Sequence, residues 1–394
     1  MRGKRIKCIT GMLVLVVIAL FSGACKKPSY KSENYDEDPN FQHMLSQSAR
    51  SAETVYFFGN MGSGLNDRIW YFDRKQMKAR PLCGKAECTH EDSSCNADIA
   101  GSLGIGEALA FYGDMLFLAV DTINEGHVLY TMNPDGTERK ILRKLSDVEN
   151  PYYPDGNRRL IFHRGRVIVY GQKHEIVEGM PVFYHVVLSY ELDSEKDAEI
   201  IYFEKVKDRQ YHNLQVTARE DNLYINVCAS SRINNAMEAE VTLYEYCLKD
   251  GRIGKLFDGR ADCAVYEFWT NGVQFLYTSA EDGRVMEILP QENQIRERMN
   301  MDSFPGEFMA MYLTENAVVG FSFPNPDTIH IRIVDYDGKP LYDCTRDRME
   351  YEYGGRIFCG MDEEYFYCNY TEFQSGKQRL VAYPLNAENP IVVW

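Results

Sequence analysis

Short runs of alternating apolar and polar residues recur along the chain from about residue 51 onward. In "EALAFYGDMLFLAV" two apolar runs flank a Gly-Asp turn, and "HVLYTMNPDGTERKIL" repeats the arrangement directly afterwards. A side-chain period of two is typical of β-strands, whereas the spacing of three and four typical of amphipathic helices is scarce here. The pattern therefore predicts an all-β fold built from short strands and turns.

This strand-and-turn pattern returns seven times, in units of about 49 residues that each hold four strands. A single four-stranded antiparallel sheet cannot bury both of its faces, but sheets stacked around a common axis bury the faces of every member. The repeat predicts a β-propeller of four-stranded antiparallel blades over residues 51–394, with seven blades and a margin of six to eight. A β-helix or two β-sandwiches would not explain the four-strand rhythm.

Turn sequences indicate how the strands connect. Asp-Gly pairs at 135–136, 250–251 and 337–338 are predicted to close third and fourth strands as two-residue hairpin turns, which need positive φ. The C-terminal "PIVVW" is interpreted as the last blade's own outer strand, with no clear strand-swapping segment to close the ring.

Connection lengths differ between the two ends of such a ring. Short connections such as "HRG" and "TNG" join first to second strands. Longer ones such as "GQKHEIVEGMP" and "SSRINNAMEA" join second to third strands, at the end that also carries the connections between blades. Long loops around a channel are where recognition usually resides, so this rim is the predicted binding surface.

The N-terminus indicates a compartment. "MRGKRIK" is basic, and the largely apolar run from Cys8 to Phe21 is shorter than the roughly 20 residues of a membrane span, as in a signal peptide. "SGAC" resembles the lipobox of bacterial lipoproteins, although Ser22 stands where leucine is usual. The resemblance implies removal of residues 1–24 and lipidation of Cys25. An ordinary signal peptidase site after Ala24 and an uncleaved anchor helix are the alternatives.

Residues 25–50 are polar and poor in β-branched side chains, which predicts a flexible tether between a lipid anchor and the propeller. The predicted location is therefore extracytoplasmic, at the cell membrane. The chain carries a formal net charge of −15, and the charged residues of the segment predicted to be removed are all basic, so its removal makes the chain more acidic. This acidic balance argues against nucleic acid as a partner.

The stretch "CGKAECTHEDSSC" contains Cys83, Cys88, His90 and Cys95 in the spacing C-x4-C-x-H-x4-C. Three thiolates and one imidazole form the donor set of a closed, structural Zn²⁺ site. Outside the cytoplasm a disulfide between Cys95 and one of the other two cysteines is the alternative, and no bond at all is the third. Four protein ligands leave no position for a catalytic water, so zinc here would be structural.

The remaining cysteines of the propeller fall on strands or at blade edges: Cys228, Cys247, Cys263, Cys344, Cys359 and Cys368. Each could pair across a strand, but small buried hydrophobic residues are the preferred interpretation.

The chain resembles a group of uncharacterised lipoproteins of Gram-positive bacteria with TolB-like and DUF5050-type propellers. The residues that carry the resemblance are "ACKK", "PLCGKAECTHEDSSCNA" and blades of the type "LYTMNPDGTERKIL". The resemblance implies the fold and the location, and it supplies no catalytic or ligand-binding residues.

Motifs of catalysis are weak in this sequence. A GxSxG elbow, a P-loop and a dinucleotide-binding glycine motif in usable context were not found. His163, His185 and His330 lie within strand patterns, where a structural role is the default. Tyr152 and Tyr153 could stack on a sugar, but packing against the next blade is preferred, and His212 in a connection is a further weak ligand-binding candidate.

Three functions fit these observations. The preferred one is a non-enzymatic, surface-anchored propeller that binds a protein or glycan through the long-loop rim. The second is a glycan-cleaving enzyme, which would need two carboxylates about 5–10 Å apart at the channel mouth. The third is an assembly scaffold at the cell envelope, which would need a flat apolar surface.

Overall fold

The computed structural model describes residues 48–392 apart from 60–67, 91–93, 100–107, 123–124, 147–151, 208–209, 235, 280–281, 302–306, 315, 326–327, 348–354, 363, 372–377 and 386–390. Within them lie seven antiparallel sheets, each of four strands consecutive in the chain. The predicted seven-bladed, all-β propeller is thereby confirmed. The described residues contain no helix long and apolar enough to cross a membrane.

The first three blades contain the following strands. Blade one is β1 (Ser48–Arg50), β2 (Thr54–Gly59), β3 (Arg68–Asp73) and β4 (Lys78–Pro81). Blade two is β5 (Ala108–Tyr112), β6 (Met115–Thr122), β7 (Gly126–Met132) and β8 (Lys140–Lys144). Blade three is β9 (Gly156–His163), β10 (Arg166–Val177), β11 (Met180–Glu191) and β12 (Glu199–Lys205). The residues of β1 fall inside the segment predicted as tether.

Blades four and five follow the same order. Blade four is β13 (Tyr211–Arg219), β14 (Asn222–Ile233), β15 (Ala236–Cys247) and β16 (Ile253–Ala261). Blade five is β17 (Val265–Thr270), β18 (Phe275–Ser279), β19 (Arg284–Leu289) and β20 (Gln294–Asn300), with a 3-10 turn at Pro290–Glu292.

The last two blades complete the ring. Blade six is β21 (Glu307–Leu313), β22 (Val318–Asn325), β23 (Thr328–Val334) and β24 (Pro340–Asp347). Blade seven is β25 (Gly355–Met361), β26 (Tyr365–Thr371), β27 (Gln378–Pro384) and β28 (Ile391–Val392). The last strand, β28, pairs with β27, so "PIVVW" does supply the outer strand of its own blade.

Hydrophobic packing between blades holds the ring together. The buried side chains of the described residues form seven clusters, one at each junction between neighbouring blades. The cluster between blades seven and one includes Phe57 and Phe72 on one side and Tyr367 and Leu380 on the other. The first and last blades are therefore joined by side-chain packing, and no strand within the described residues is exchanged between them.

The Asp-Gly turns differ from the prediction in their length and in their backbone conformation. The Asp-Gly pairs lie in connections of five to seven residues rather than in two-residue turns, and only their glycines have positive φ. Register shifts between third and fourth strands in blades two to six accompany these wider connections and increase blade twist.

The two long connections predicted in blades three and four are also different in the structure. "GQKHEIVEGMP" and "SSRINNAMEA" are mostly strand, because β10, β11, β14 and β15 each extend over 12 residues. The turn of blade three is reduced to Glu178 and Gly179, both with positive φ. These segments are therefore hairpins that extend beyond the blade, and the prediction of long loops was wrong here because most of their residues are in paired strands.

Candidate functional site

The cysteine-rich connection between blades one and two brings all four predicted side chains together. The ligand atoms of Cys83, Cys88, His90 and Cys95 all lie within 4.8 Å of one another. His90 has a φ of 60°, and this left-handed turn brings its Nδ1 to 3.3 Å from the Cys95 sulfur. Cys95 is buried and the other three are half-buried. Since a closed tetrahedral site needs four converging donors, these residues could hold a metal ion.

Backbone N–H groups also point at two of the sulfurs. Burial disfavours the Cys83 thiolate, but hydrogen bonds from the backbone N–H groups of Lys85 and Asn96, together with those from the Cys88 and Cys95 thiols, lower the pKa of Cys83. Burial raises the pKa of Cys95 to about 12, although the N–H of Ala97 opposes the shift. In both cases one donor stands two residues after the cysteine. Such donors orient thiolates and offset their charge, as the outer hydrogen bonds of metal sites do.

The same connection is fastened to both blades. In blade one, the N–H of Ile69 donates to the carbonyl of Ala97. In blade two, Arg139 donates from Nη1 to the carbonyls of Asn96 and Asp98 at 3.3 and 2.5 Å. Gly136, the glycine of the first Asp-Gly pair, has a φ of 81°, and a Cβ there would lie 2.5 Å from the Leu82 carbonyl oxygen. The close approach of the two blades therefore requires glycine.

A second feature is a polar cavity at the mouth of the channel. It has a volume of about 380 Å³ and opens where the inner strands of blades three, four and five begin. This is the rim that carries the extended hairpins. The cavity is lined by Arg158, Arg159, Gly171, Gln172, His212, Asn213, Leu214, Gln215 and Tyr266.

Arginines and amides organise this cavity. Arg158 forms an ion pair with Asp121 of blade two through both guanidinium Nη atoms. Arg159 donates to the Gln215 Oε1 at 3.1 Å and lies 3.7 Å from Glu267. Burial raises the pKa of Glu267, although the charge of Arg159 opposes the shift. Arg158 is therefore hydrogen-bonded directly to its carboxylate neighbour, whereas Arg159 lies farther from Glu267.

In blades three and four, the hairpin formed by the second and third strands continues beyond the residues that pair with the first and fourth strands. These extensions cover residues 173–183 and 231–238 and are named the two rim hairpins. The tip of the first is apolar and exposed, since Ile176 and Met180 are 66% and 67% accessible. Val177, Phe183 and Ile233 are exposed as well. The two rim hairpins thus display aliphatic side chains beside a polar cavity.

The weak ligand-binding candidates have different environments. His212 is half-buried and lines the channel-mouth cavity. Tyr153 is buried beside His127, with which it forms a hydrogen bond, so it packs in the core between blades two and three. Tyr152 is exposed, and its ring contacts Phe203 edge-on at 5.1 Å, away from the residues that line the cavity.

The predicted structural histidines are all buried in strands: His163 in β9, His185 in β11 and His330 in β23. The cysteines Cys228, Cys263 and Cys368 are buried, as predicted, whereas Cys247 and Cys344 are partly exposed. The side chain of Cys359 lies outside the described residues, as do Cys25 and the predicted signal peptide.

Burial of His185 predicts a pH-dependent stability. Its ring lies 6.4 Å from that of His212, and burial followed by the His212 charge lowers the pKa of His185 to about 4. The unfolded chain binds a proton at this site below about pH 6.5, whereas the folded chain does not until about pH 4. Stability supplied by neutral His185 is therefore lost as pH falls through this window.

We expect this loss to amount to about 2 kcal/mol between pH 6.5 and 5. Urea unfolding at the two pH values measures it, and His185→Gln should reduce the difference by that amount. His174→Gln, at an exposed histidine, is the comparison variant and should not reduce the difference. An equal pH dependence in wild type and His185→Gln would contradict the assignment.

The sequence did not single out the residues that organise the channel mouth. Arg158 and Arg159 are adjacent at the start of an inner strand, so their side chains point to opposite faces of blade three. Arg158 contacts blade two, and Arg159 contacts blades four and five. Two consecutive cations in "RRLIF" were the available signal, but their partners come from other blades and have no fixed spacing in the sequence.

Comparisons with known proteins support the fold alone. No family model matches the chain, and no curated protein matches it. A prolyl endopeptidase structure is similar with a TM-score of 0.57 and 12% identity, over 91% of this chain and 52% of that one. The Pyrococcus horikoshii acylaminoacyl peptidase is similar with a TM-score of 0.51 and 12% identity, over 89% of this chain and 52% of that one.

The β-propeller domain of the Trilobed protease from Pyrococcus furiosus, reported to have an open velcro topology, gives a TM-score of 0.51 at 11% identity. There the match covers 89% of this chain and 95% of that one. The chain thus spans about half the length of the two peptidases above but nearly all of an isolated propeller domain. At these identities, the chain is similar to these proteins in its propeller fold.

Proposed function

We propose that this chain is a non-enzymatic binding module that engages a protein partner through the rim hairpins and the channel mouth. The observation that carries the proposal is the exposed apolar tip of the blade-three hairpin, where Ile176 on one face and Met180 on the other are both about two-thirds accessible. Covering an aliphatic side chain of this size stabilises a complex by about 1.5–3 kcal/mol. Exposed apolar groups with a polar surround are typical of protein interaction sites.

A protein partner fits this tip better than a glycan does. Sugars are bound mainly by flat aromatic faces and directional hydrogen bonds, whereas the tip offers branched aliphatic groups and methionine. Methionine and aromatic residues are enriched at the centres of protein interfaces. An assembly scaffold would use the same surface for a second copy of the chain, so self-association is an outcome of the test below.

The glycan-cleaving alternative receives less support from the described residues. Asp121 and Glu267 are the carboxylates that contact the arginines of the cavity, and both neighbour a guanidinium. A general acid and a nucleophile or base would have to be free to contact the sugar on either side of the bond.

We also propose that Cys83, Cys88, His90 and Cys95 bind one structural zinc ion. The support is the convergence of four donors within 4.8 Å and the backbone N–H groups directed at the sulfurs. Zinc would link Cys83, at the start of the connection between blades one and two, to Cys95 in its middle. With four protein ligands it would supply no catalytic water.

We further propose that the module works outside the cytoplasm, held to the cell membrane by lipid on Cys25. This rests on the basic and apolar N-terminal sequence, the lipobox resemblance and the polar tether. In this arrangement the tether would let the rim hairpins reach a partner at the cell surface.

The hairpin is tested with Ile176→Asp/Met180→Asp. We expect binding of the purified propeller to cell-envelope preparations of its own organism to weaken at least about tenfold, because two apolar contacts become charged. Val273→Asp is the matched control, since Val273 is 84% accessible in a connection at the opposite rim. It should bind as wild type does.

The nature of the partner is read from the same assay. Protease treatment of the envelope should abolish binding, whereas periodate treatment should not. Sedimentation velocity compares the self-association of the wild-type propeller with that of the double variant. The two should be the same. Undiminished binding of the double variant would overturn the proposal, and so would binding that only periodate removes.

A further inference from the structure

Arg159 is a partly exposed, positively charged side chain that lines the channel-mouth cavity. Its side chain is 43% accessible, although it stands beside the almost buried Glu267. The accessible part faces the cavity that Arg159 lines. The distance of 3.7 Å to Glu267 is longer than a direct hydrogen bond, so this carboxylate does not occupy the guanidinium fork fully.

The groups around Arg159 are held in place from neighbouring blades. Gln215 is buried, accepts from Arg159 through Oε1 and donates through Nε2 to the Tyr266 carbonyl at 3.1 Å. Asn213 donates to the same carbonyl at 3.0 Å. These amides fix the start of β17. The backbone of Tyr266 and the Arg159 guanidinium are therefore held in fixed positions relative to each other across the cavity.

We propose that the channel mouth binds a carboxylate group of the protein partner, with Arg159 as the group that recognises it. The inference rests on the proposed binding function and names the chemistry that the cavity takes. A guanidinium presents several N–H donors in a planar fork that matches a carboxylate, and such charge-assisted hydrogen bonds are stronger than neutral ones. The carboxylate can be a chain terminus or an Asp or Glu side chain.

The cavity and its charge suit this ligand. A volume of about 380 Å³ accommodates a few residues of a peptide, and the cavity lies on the same rim as the rim hairpins. None of the described lining residues is acidic, and Arg158 adds a second guanidinium next to Asp121. The exposed Tyr266 side chain also lines the cavity and can pack against apolar atoms of the peptide. One partner could therefore contact the hairpin tip and the cavity together.

Small peptides test the proposal by titration calorimetry with the intact propeller. The probes are acetyl-Ala-Tyr-Ala with a free carboxylate and as its amide, and acetyl-Ala-Asp-Ala-amide with its Asn counterpart. At least one carboxylate probe should bind about tenfold or more tightly than its uncharged counterpart. The pair that shows the preference identifies a chain terminus or a side chain as the source.

Variants identify Arg159 as the responsible group. Arg159→Gln alone would leave Glu267 without its cation, so it is made together with Glu267→Gln. The double variant should lose the carboxylate preference, whereas Glu267→Gln alone should keep it. Lys249→Gln, at an exposed lysine of the opposite rim, should also keep it.

Equal affinity of the wild type for charged and uncharged probes, or a preference that survives in the double variant, would overturn the inference. Arg159-dependent binding of trigalacturonate with no binding of the peptides would overturn the peptide assignment. If envelope binding still depends on the hairpin tip while these probes fail, the carboxylate site is wrong and the protein-binding proposal stands.

Discussion

We expect Asp362→Ala to reduce the free energy of unfolding by about 3–5 kcal/mol, because it removes the acidic centre of the junction between blades seven and one. The Asp362 side chain is fully buried, and its Oδ2 lies 3.5 Å from both Arg50 and Arg74 of blade one. The same oxygen accepts from Tyr367 at 2.8 Å. Alanine would leave two partly buried guanidinium groups without their shared anion.

Asp362 also organises its own blade. Its Oδ1 accepts from the backbone N–H groups of Glu364 and Tyr365 at 2.8 and 2.9 Å, in the turn before β26. Since the strands that the structure describes are not exchanged between the first and last blades, side-chain contacts hold this junction. Hydrogen exchange in β2 and β26 should therefore increase in the variant before it does in blades three to five.

Urea unfolding of wild type and variant measures the loss. Glu364→Ala is the matched control, because Glu364 also pairs with Arg74, at 3.1 Å, but is 63% accessible. An exposed ion pair contributes little, so this change should cost less than about 1 kcal/mol. A loss of similar size in both variants would contradict the role given to burial at Asp362.

The second large effect is expected at the cysteine-rich connection. The intact propeller, purified without chelator, should contain about one zinc ion per chain, and Cys95→Ser should contain almost none. Cys95 is the buried member of the cluster, and the loss of its thiolate leaves three donors. Native mass spectrometry with and without chelator measures the metal content directly.

Loss of zinc should also loosen the connection between blades one and two. Limited proteolysis within residues 82–107 should become faster after chelation of the wild type and in untreated Cys95→Ser. Cys344→Ser changes a partly exposed cysteine outside the cluster and should leave both zinc content and proteolysis unaltered. A metal-free mass about two daltons below the all-thiol value would instead establish a disulfide.

The fold was predictable because its information is local and repeated. Alternation with a period of two marks strands such as those of "EALAFYGDMLFLAV", and the turn residues mark their ends. Seven repetitions of four strands then leave a closed ring as the arrangement that buries every sheet face. The same alternation misled at "GQKHEIVEGMP", where polar residues on exposed hairpin strands were interpreted as a long loop.

The cysteine cluster was predictable for a related reason. Its four members lie within thirteen residues, so chain connectivity alone keeps them near one another. The sequence left a metal site, a disulfide and no bond open for these residues, and the left-handed turn at His90 that brings its ring to Cys95 is seen in the structure. The backbone donors at Lys85 and Ala97 likewise follow from the folded path of the connection.

The sequence by itself thus determined the strand pattern, the seven-fold repeat and the spacing of a four-donor cluster, since each depends on residues close together in the chain. The tertiary structure alone decided the rest. Arg159 meets Gln215 and Glu267, and Asp362 meets Arg50 and Arg74, across blades separated by tens to hundreds of residues. Such partners are set by how the twisted sheets pack around the axis, and packing leaves no fixed spacing in a sequence.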